Sequence, residues 1–393
     1  MKKLLLHSTF SLVIITNMFS LMRFSNDDFF YLLKFGAFVF HIVLLLLLIL
    51  NNKFYVSKAT KKITVVFYFW MLAMVIGLLN SIIFSDFISI MLTTISYFLL
   101  FFYSFFILPN FLRLEGISFY SLIKNVFYSI SGVMLFSVII SIGDPLAYHL
   151  DPTSLRNRYY AFFDHPNFLG LYSTLGIIVT ILMFSLCKMK LSLVTIPFYL
   201  YLIILSGSRT ALIMSFIFIL FVMFMNVSTK LLRFIFINPI AIFFLFAISI
   251  ILITMVNSES FIDTLDKLLS NRITIWTDLI ASNKSSLMHF LFGQGNLNSE
   301  VSRDNYYVSV LIDNGMIGLG AFLIMITLVI RTLLMNKKID KVHMYAAILM
   351  FIVMLYSFSE SIFYTLGNVF SLFLWVLVGY ILNIKTFEKP IRN

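Results

Sequence analysis

Residues 271–320 read NRITIWTDLIASNKSSLMHFLFGQGNLNSEVSRDNYYVSVLIDNGMIGLG. Apolar runs flank this polar, glycine-punctuated stretch on both sides, and loops of this length are usually functional or disordered. Its aromatic residues and short apolar runs argue against disorder. We therefore interpret the stretch as an ordered loop and as the working part of a membrane protein with many spans.

The rest of the chain has the composition of a membrane protein. Of 393 residues, 61% are hydrophobic and 11% are charged, and the mean hydropathy is +1.01. Soluble domains have roughly 45–50% apolar and 25% charged residues. Apolar runs of about 20 residues predict helices, because the strands of a membrane barrel need only about 10 alternating residues.

We predict an all-α fold in which residues 1–393 form one transmembrane domain of about 12 helices. A large outer loop, 257–315, lies between the ninth and tenth spans and contains an amphipathic helix. The predicted spans are 4–22, 29–50, 63–84, 87–108, 118–143, 166–186, 191–206, 209–226, 234–256, 316–335, 342–359 and 361–383. The first span resembles a signal peptide but lacks a small-residue cleavage site, so we keep it as a helix. A single cysteine, Cys187, excludes an internal disulfide and a cysteine-rich metal site.

The positive charges predict the orientation. With the N-terminus inside, 19 of the 28 lysines and arginines lie in cytoplasmic segments and only 8 lie outside. Of the 17 acidic residues, 14 lie outside. By the positive-inside rule both termini are cytoplasmic. The net charge of +11 is therefore mostly a topology signal and not the mark of a nucleic-acid-binding protein.

The first outer feature is the loop 144–165, which contains Arg156, Arg158 and His165 and leads into Pro166 and Asn167. Pro166 suits the first turn of the sixth span. The loop is interpreted either as a solvated connection with a helix cap or as part of a ligand site.

The second outer feature is Ser-Gly-Ser-Arg at 206–209, between two apolar runs. The preceding span has about 16 residues, or about 24 Å of helix, against a hydrocarbon core of about 30 Å. Arg209 is therefore expected below the headgroup level, where an arginine is costly without an anionic partner. The alternative is that its side chain snorkels to the interface.

The third outer feature is the late loop. Arg272 lies on the apolar face of the predicted amphipathic helix, four residues before Trp276, where a merely solvated arginine is not expected. The tight turn 292–295 is suited to bringing backbone N–H groups close to a ligand. Asp304 opens a short helix, either as its N-cap or as a functional carboxylate, and 313–315 breaks that helix before the tenth span. Glu360 lies in a very short outer connection between the last two spans and is expected to be recessed.

These outer segments together supply arginines, carboxylates and a histidine at one membrane surface. The planar fork of arginine suits phosphate and diphosphate oxygens. The chain has no nucleotide-binding glycine motif and no carboxylate pair at metal-ligand spacing. A glycan linked to a polyprenyl diphosphate is the diphosphate ligand that lies at headgroup level.

Three stretches resemble the O-antigen polymerase and O-antigen ligase superfamily. They are RYYAFFDHPNFLG at 158–170, LSGSRTA at 205–211, and FGQG at 292–295 followed by DNYY at 304–307 and DNGMIGL at 313–319. The resemblance implies a bacterial cytoplasmic-membrane glycosyltransferase without a metal or soluble cofactor. It also implies an undecaprenyl-diphosphate-linked oligosaccharide as substrate, the lipid bilayer as environment, and a chain-length regulator and flippase as pathway partners, with no nucleic acid.

The resemblance assigns roles to particular residues. Arg209 and Arg272 hold the diphosphate, with Arg158 as a third candidate. Ligases of the superfamily typically have a histidine at the position of Asp304, so this departure favours a polymerase and leaves the base open among Asp304, Glu360 and His165. The candidate catalytic residues are Arg209, Arg272, Asp304 and Glu360, and the candidate substrate-binding residues are Arg156, Arg158, His165, Asn167, Asn305 and Tyr306.

Two other functions stay open. A ligase would use the same donor with a different acceptor. A transporter or flippase of the lipid-linked glycan should have polar residues at the membrane midplane and interrupted helices. The polar groups lie at one face in the sequence, which argues against transport.

Overall fold

The structure, a computed structural model, is almost entirely helical. It describes residues 2–23, 27–81, 87–151, 156–225, 274, 276, 287–293, 305–334, 341–360, 362–364 and 367–383. The helices are α1 Lys2–Phe19, α2 Asp27–Ile49, α3 Lys58–Ser81, α4 Phe87–Phe102, α5 Leu108–Leu114, α6 Phe119–Ile140, α7 Pro166–Cys187, α8 Thr195–Ser206, α9 Arg209–Met225, α10 Leu287–Phe292, α11 Tyr306–Leu334, α12 Lys341–Tyr356 and α13 Val369–Asn383. A π-helical turn, Tyr103–Ile107, joins α4 to α5, and the 3₁₀ turns Pro145–Ala147 and Lys190–Val194 precede β1 and α8.

The helices confirm that the protein is embedded in a membrane. Every predicted span except the ninth overlaps a described helix, although α13 begins eight residues after the predicted start of the last span, and 234–256 lies outside the described residues. Six of the described helical stretches are long and apolar enough to cross a bilayer, and four more apolar helices are shorter. The count of 12 spans and the loop 257–315 therefore stay predictions.

Helix α7 lies in the interior of the bundle. Of its apolar stretch 83% is buried, against 33% for the stretches in α2 and α3. Small residues allow its neighbours to approach closely, as is typical of helices packed in membranes. A Cβ at Gly170 would lie 2.7 Å from Cβ of Ser208 at the start of α9, and one at Gly176 would lie 2.5 Å from the Tyr199 ring on α8. The N-terminus of α7 is therefore fixed against the α8–α9 turn.

One element departs from the predicted all-α fold. The loop before α7 contains an antiparallel hairpin, β1 Tyr148–Asp151 paired with β2 Arg156–Tyr159, in a register that places Arg158 opposite His149. Its backbone joins the surrounding loops, because Tyr160 N–H donates to the Ala147 carbonyl at 3.1 Å. The hairpin is thus part of the frame that positions Arg158.

Arg23, at the end of α1, fastens this loop to the bundle. Its guanidinium pairs with the Asp144 carboxylate at 3.2 Å and donates to the carbonyls of Leu146 and Ala161. It also lies over the Tyr160 ring, 4.7 Å from the centroid. Arg23 therefore anchors the 144–163 segment to the end of the bundle that follows α1.

Contacts between the connecting loops show which helix ends lie at the same end of the bundle. At one end, Asp164 N–H donates to the Leu21 carbonyl at 3.0 Å, which joins the connections α1–α2 and α6–α7. At the other end, Lys2 pairs with Glu115 at 2.8 Å, which joins the start of α1 to the α5–α6 connection. The 144–165 loop and the α5–α6 connection therefore lie at opposite ends of the bundle, while the absolute orientation stays a prediction.

The predicted helix break at 313–315 is confirmed. Gly315 has φ 66° and ψ −172° within α11. The segment before the break folds back along the segment after it, because the Tyr306 ring lies 5.4 Å from the ring of Phe322. Sixteen residues of continuous helix would separate these two positions by roughly 24 Å. The first turns of α11 therefore form a re-entrant hairpin with its long part.

Three glycines bring the end of α10 against this break. A Cβ at Gly315 would lie 2.3 Å from the carbonyl carbon of Leu291, and one at Gly293 would lie 2.3 Å from the Asp313 oxygen. A Cβ at Gly77 on α3 would lie 2.6 Å from the same oxygen. We name Gly77, Gly293 and Gly315 the glycine junction. The absence of a side chain at Gly293 thus lets backbone pack against backbone, and its N–H donates to the His289 carbonyl at 2.7 Å.

Replacing Gly315 with alanine should destabilise the protein. A side chain at positive φ costs roughly 1–2 kcal/mol, and the clash with Leu291 adds to that cost. The control is Gly320→Ala in the same helix, where a Cβ meets nothing within 4 Å. Thermal melting in detergent should show a lower midpoint for Gly315→Ala and no loss for Gly320→Ala. Equal midpoints would contradict the close contact.

Candidate functional site

A chain of hydrogen bonds joins three segments that the sequence analysis singled out. Arg158 Nη2 donates to Asn167 Oδ1 at 2.7 Å, and Asn167 Nδ2 donates to Glu360 Oε1 at 2.8 Å. Arg158 Nε donates in addition to the Ser206 carbonyl at 2.9 Å. We name Arg158, Asn167 and Glu360 the polar chain. It connects β2, the first turn of α7, the end of α8 and the α12–α13 connection.

The end of α8 accepts Arg158 because of Gly207. This residue has φ 62°, and its left-handed conformation ends the helix while leaving the Ser206 carbonyl accessible to a side chain. A Cβ at Gly207 would contact Arg158 Cγ and Nε at 3.4 Å. Backbone carbonyls at a helix C-terminus attract a cation, so the location suits a guanidinium. The sequence analysis did not predict this contact, although the Ser-Gly-Ser turn was the signal for it.

The first turn of α7 positions Asn167. His165 is the N-cap, and its Nδ1 accepts from Asn167 N–H at 3.2 Å, while Pro166 occupies the first turn as predicted. Since Nδ1 is an acceptor, the neutral ring of His165 carries its proton on Nε2. The exposed ring is therefore suited to donate a hydrogen bond from Nε2, and less suited to remove a proton.

Arg209 is the first residue of α9, two positions beyond Gly207. Its side chain is exposed, and within the described part of the chain nothing accepts a hydrogen bond from it. The backbone of its turn is fixed, because Ser208 is buried against Gly170 and its hydroxyl accepts from Ala211 N–H at 3.4 Å. The turn thus presents an available guanidinium from a rigid support, and its depth in the bilayer stays a prediction.

Glu360 is half-buried in a connection that dips into the bundle. The Phe363 ring lies 5.2 Å from that of Phe322, which is about 10 Å beyond Gly315 along α11. Non-helical backbone at such a level needs partners from the protein. The Phe363 carbonyl accepts from Trp375 Nε1 at 2.9 Å and Ser371 Oγ at 3.1 Å. Part of this connection therefore lies inside the protein, while the recessed position of Glu360 in the bilayer stays a prediction.

The start of α11 corrects one assignment. The N-cap is Asn305 and not Asp304, because Asn305 Oδ1 accepts from the N–H groups of Tyr307 at 2.9 Å and Val308 at 3.2 Å. Tyr306 N–H donates to the Ser357 carbonyl at 2.8 Å, next to the connection that contains Glu360. Asn305 and Tyr306 are 3% and 2% exposed, so here they position backbone, and a contact with substrate stays a prediction.

Three candidate residues cannot be placed in the site. Arg272 and Asp304 lie outside the described residues, and Arg156 is described only as backbone of β2. Trp276, one turn after Arg272 in the sequence, packs against Val308 and Ile312 on α11. This contact shows that the region beside Arg272 approaches the re-entrant part of α11.

A buried phenol supports β2 beside the polar chain. Tyr159 follows Arg158, and its hydroxyl bonds to the Ser141 hydroxyl at the end of α6. Burial raises the pKa of Tyr159, and the bond to Ser141 opposes that rise. Tyr159 therefore stays neutral at physiological pH and fixes β2 without adding charge to the site.

Two features of the interior bear on the transporter alternative. Helix α11 is interrupted at Gly315, and His41 is fully buried within α2. The His41 ring bonds Thr9 Oγ1 at 2.7 Å through Nδ1 and the Tyr103 hydroxyl at 3.0 Å through Nε2. Both features weaken the argument against a transporter that rests on polar groups at one face.

Comparison with known proteins adds no identification: no family model matches the chain, and no curated protein or solved structure is significantly similar to it.

The cap assignment predicts different effects for two neighbouring residues. Asn305→Ala removes the acceptor for two N–H groups and should cost about 1 kcal/mol of stability. Asp304→Ala is the matched control and should leave the melting midpoint in detergent unchanged. If Asp304→Ala lowered the melting midpoint and Asn305→Ala did not, Asp304 and not Asn305 would be the N-cap.

Proposed function

We propose that the protein is a polysaccharide polymerase of the bacterial cytoplasmic membrane that works at its outer face. It transfers a growing glycan from undecaprenyl diphosphate to a lipid-linked repeat unit of an O-antigen, capsule or exopolysaccharide. The observation that carries the proposal is the polar chain, because it joins the segments of Arg158, Asn167 and Glu360 beside the Arg209 turn. The resemblance of the segments 158–170 and 205–211 to the polymerase and ligase superfamily supports it, whereas Glu360 lies outside the resembling stretches.

In the proposed reaction a hydroxyl oxygen of the acceptor sugar attacks the anomeric carbon of the donor glycan. The bond from that carbon to the diphosphate oxygen breaks, and undecaprenyl diphosphate leaves with the electron pair. The hydroxyl proton passes to a carboxylate, for which Glu360 is the best supported candidate, and then to water. No oxidant, reductant or further reactant is required.

The leaving group gains negative charge, and cations that are already held in position stabilise this charge. Arg209 is suited to this role because its guanidinium is exposed on a rigid turn. Arg272 is the second proposed cation, and the Nε2–H of His165 is a suitable neutral donor to a phosphate oxygen. Arg158 has a different role, since at least two of its donor nitrogens already bond Ser206 and Asn167.

Two alternatives remain and are separable. A ligase would accept the same donor and transfer it to a non-repeat acceptor, so products from a defined pair of lipid-linked units distinguish it. A transporter or flippase is favoured by the break in α11. It would move lipid-linked glycan between leaflets of a vesicle without lengthening it, whereas a polymerase lengthens it in detergent.

Substitutions of Arg209 test the diphosphate role. A charge-assisted hydrogen bond is worth roughly 1.5–3 kcal/mol, and 1.36 kcal/mol corresponds to a tenfold rate change. Arg209→Ala should therefore lower chain extension by at least one to two orders of magnitude. The chain-extension rate of Arg209→Lys should lie between those of the unmodified protein and Arg209→Ala, because lysine keeps the charge but loses the two-pronged geometry. The assay is extension of lipid-linked repeat units at matched membrane protein levels.

The control is Lys124→Ala, which removes an exposed cation from α6 near the opposite end of the bundle and should retain full activity. If Arg209 only snorkels, lysine should replace it completely. Full activity of Arg209→Lys with a modest loss in Arg209→Ala would reject the diphosphate role.

The proposed orientation places 257–304 outside and both termini inside. In a Cys187→Ala background, the variant Asn298→Cys should react with an impermeant thiol reagent in intact spheroplasts, and Lys338→Cys should react only after permeabilisation. The opposite pattern would invert the topology and move the site to the cytoplasmic face.

A further inference from the structure

Asn167 occupies the middle of the polar chain, between a cation and a carboxylate. Arg158 Nη2 lies 2.7 Å from one amide atom of Asn167, and Glu360 Oε1 lies 2.8 Å from the other. A guanidinium has only donors and an ionised carboxylate has only acceptors. The amide therefore has one permitted orientation, with its oxygen toward Arg158 and its NH₂ toward Glu360.

Each neighbour of Asn167 is itself fixed. Arg158 is bonded to the Ser206 carbonyl at 2.9 Å and packs against Gly207. The backbone of Asn167 belongs to the first turn of a central, buried helix. Glu360 N–H donates to the Tyr356 carbonyl at 3.1 Å, which continues the end of α12. The carboxylate is thus oriented by a side chain 193 residues away, whose own position depends on two further elements.

We infer that Asn167 is a positioning residue that holds Glu360 in the orientation needed to accept the proton of the acceptor hydroxyl, with Arg158 fixing the amide of Asn167. This role rests on the proposed function and differs from the substrate contact that the sequence analysis assigned to Asn167. The positioning role explains why the side chain at position 167 is an amide. An aspartate would place a second carboxylate beside Glu360, and an apolar residue would remove one hydrogen bond from each of Arg158 and Glu360.

The test is a double-mutant cycle with Asn167→Leu and Glu360→Gln, measured as chain extension from lipid-linked repeat units. Asn167→Leu alone should lower kcat about tenfold or more, while KM for the lipid-linked donor stays within about twofold. In the Glu360→Gln background, the same change should lower kcat by less than about threefold, because the group that Asn167 positions is already lost.

A matched control separates positioning from general stability. Asn125 on α6 also joins distant segments through two bonds of its amide, accepting from Ser11 Oγ at 2.6 Å and donating to the His7 carbonyl at 2.9 Å. Asn125→Leu should lower the melting midpoint without changing kcat at matched amounts of folded protein. Size-exclusion profiles in detergent verify that each variant is folded.

If Asn167→Leu does not fold, Asn167→Asp takes its place in the cycle, because it keeps an acceptor for Arg158. Losses that multiply in the double variant would overturn the role, since Asn167 would then act independently of Glu360. Normal kcat in Asn167→Leu would overturn it as well. If the unmodified protein extends no lipid-linked glycan, the proposed function itself fails, and that result is distinct from both.

Discussion

The guanidinium of Arg158 is the group around which the candidate site is built. It is half-buried at the end of an apolar bundle, where a cation without partners is costly. The carbonyl of Ser206 and the amide of Asn167 meet that requirement, and each lies on a different helix. Satisfying one cation therefore fixes the α8–α9 turn, the start of α7 and, through Asn167, the carboxylate of Glu360. Stability and site geometry depend on the same few bonds.

The second constraint is that the backbone N–H and C=O groups inside a membrane protein must be hydrogen-bonded. Where helices are interrupted, side-chain hydrogen bonds and a helix cap satisfy this requirement. The carbonyl of Phe363 is satisfied by two side chains of α13, and Asn305 caps the re-entrant start of α11. Gly379 lets α13 approach the π-helical turn after α4, where a Cβ would lie 1.9 Å from the Ser104 oxygen. Interrupted backbone occurs beside the candidate site and also within the bundle, so it is not by itself a sign of function.

The sequence predicted the features that follow from local patterns and missed those that depend on distant contacts. Apolar runs predicted the long described helices, Pro166 the start of α7, and residues 313–315 the break in α11, whereas the short helix α10 was not predicted. The β1–β2 hairpin was missed because its position depends on tertiary contacts near Arg23. The N-cap was placed one residue early because aspartate and asparagine are equally good caps and stand side by side. The bond between Asn167 and Glu360 spans 193 residues, and no local pattern reveals it.

Of the two proposed cations, Arg209 and Arg272, the described residues include only Arg209. Arg209 belongs to the support formed by α7, α8 and the polar chain, whereas the region beside Arg272 packs through Trp276 on the re-entrant part of α11. The second support is fixed to α3 and α10 by the glycine junction, where backbone meets backbone without side chains between. A diphosphate bound by both arginines would bridge the two supports. The distance between its binding groups would then depend on Gly77, Gly293 and Gly315 as well as on the two arginines, although none of these glycines would need to contact the substrate.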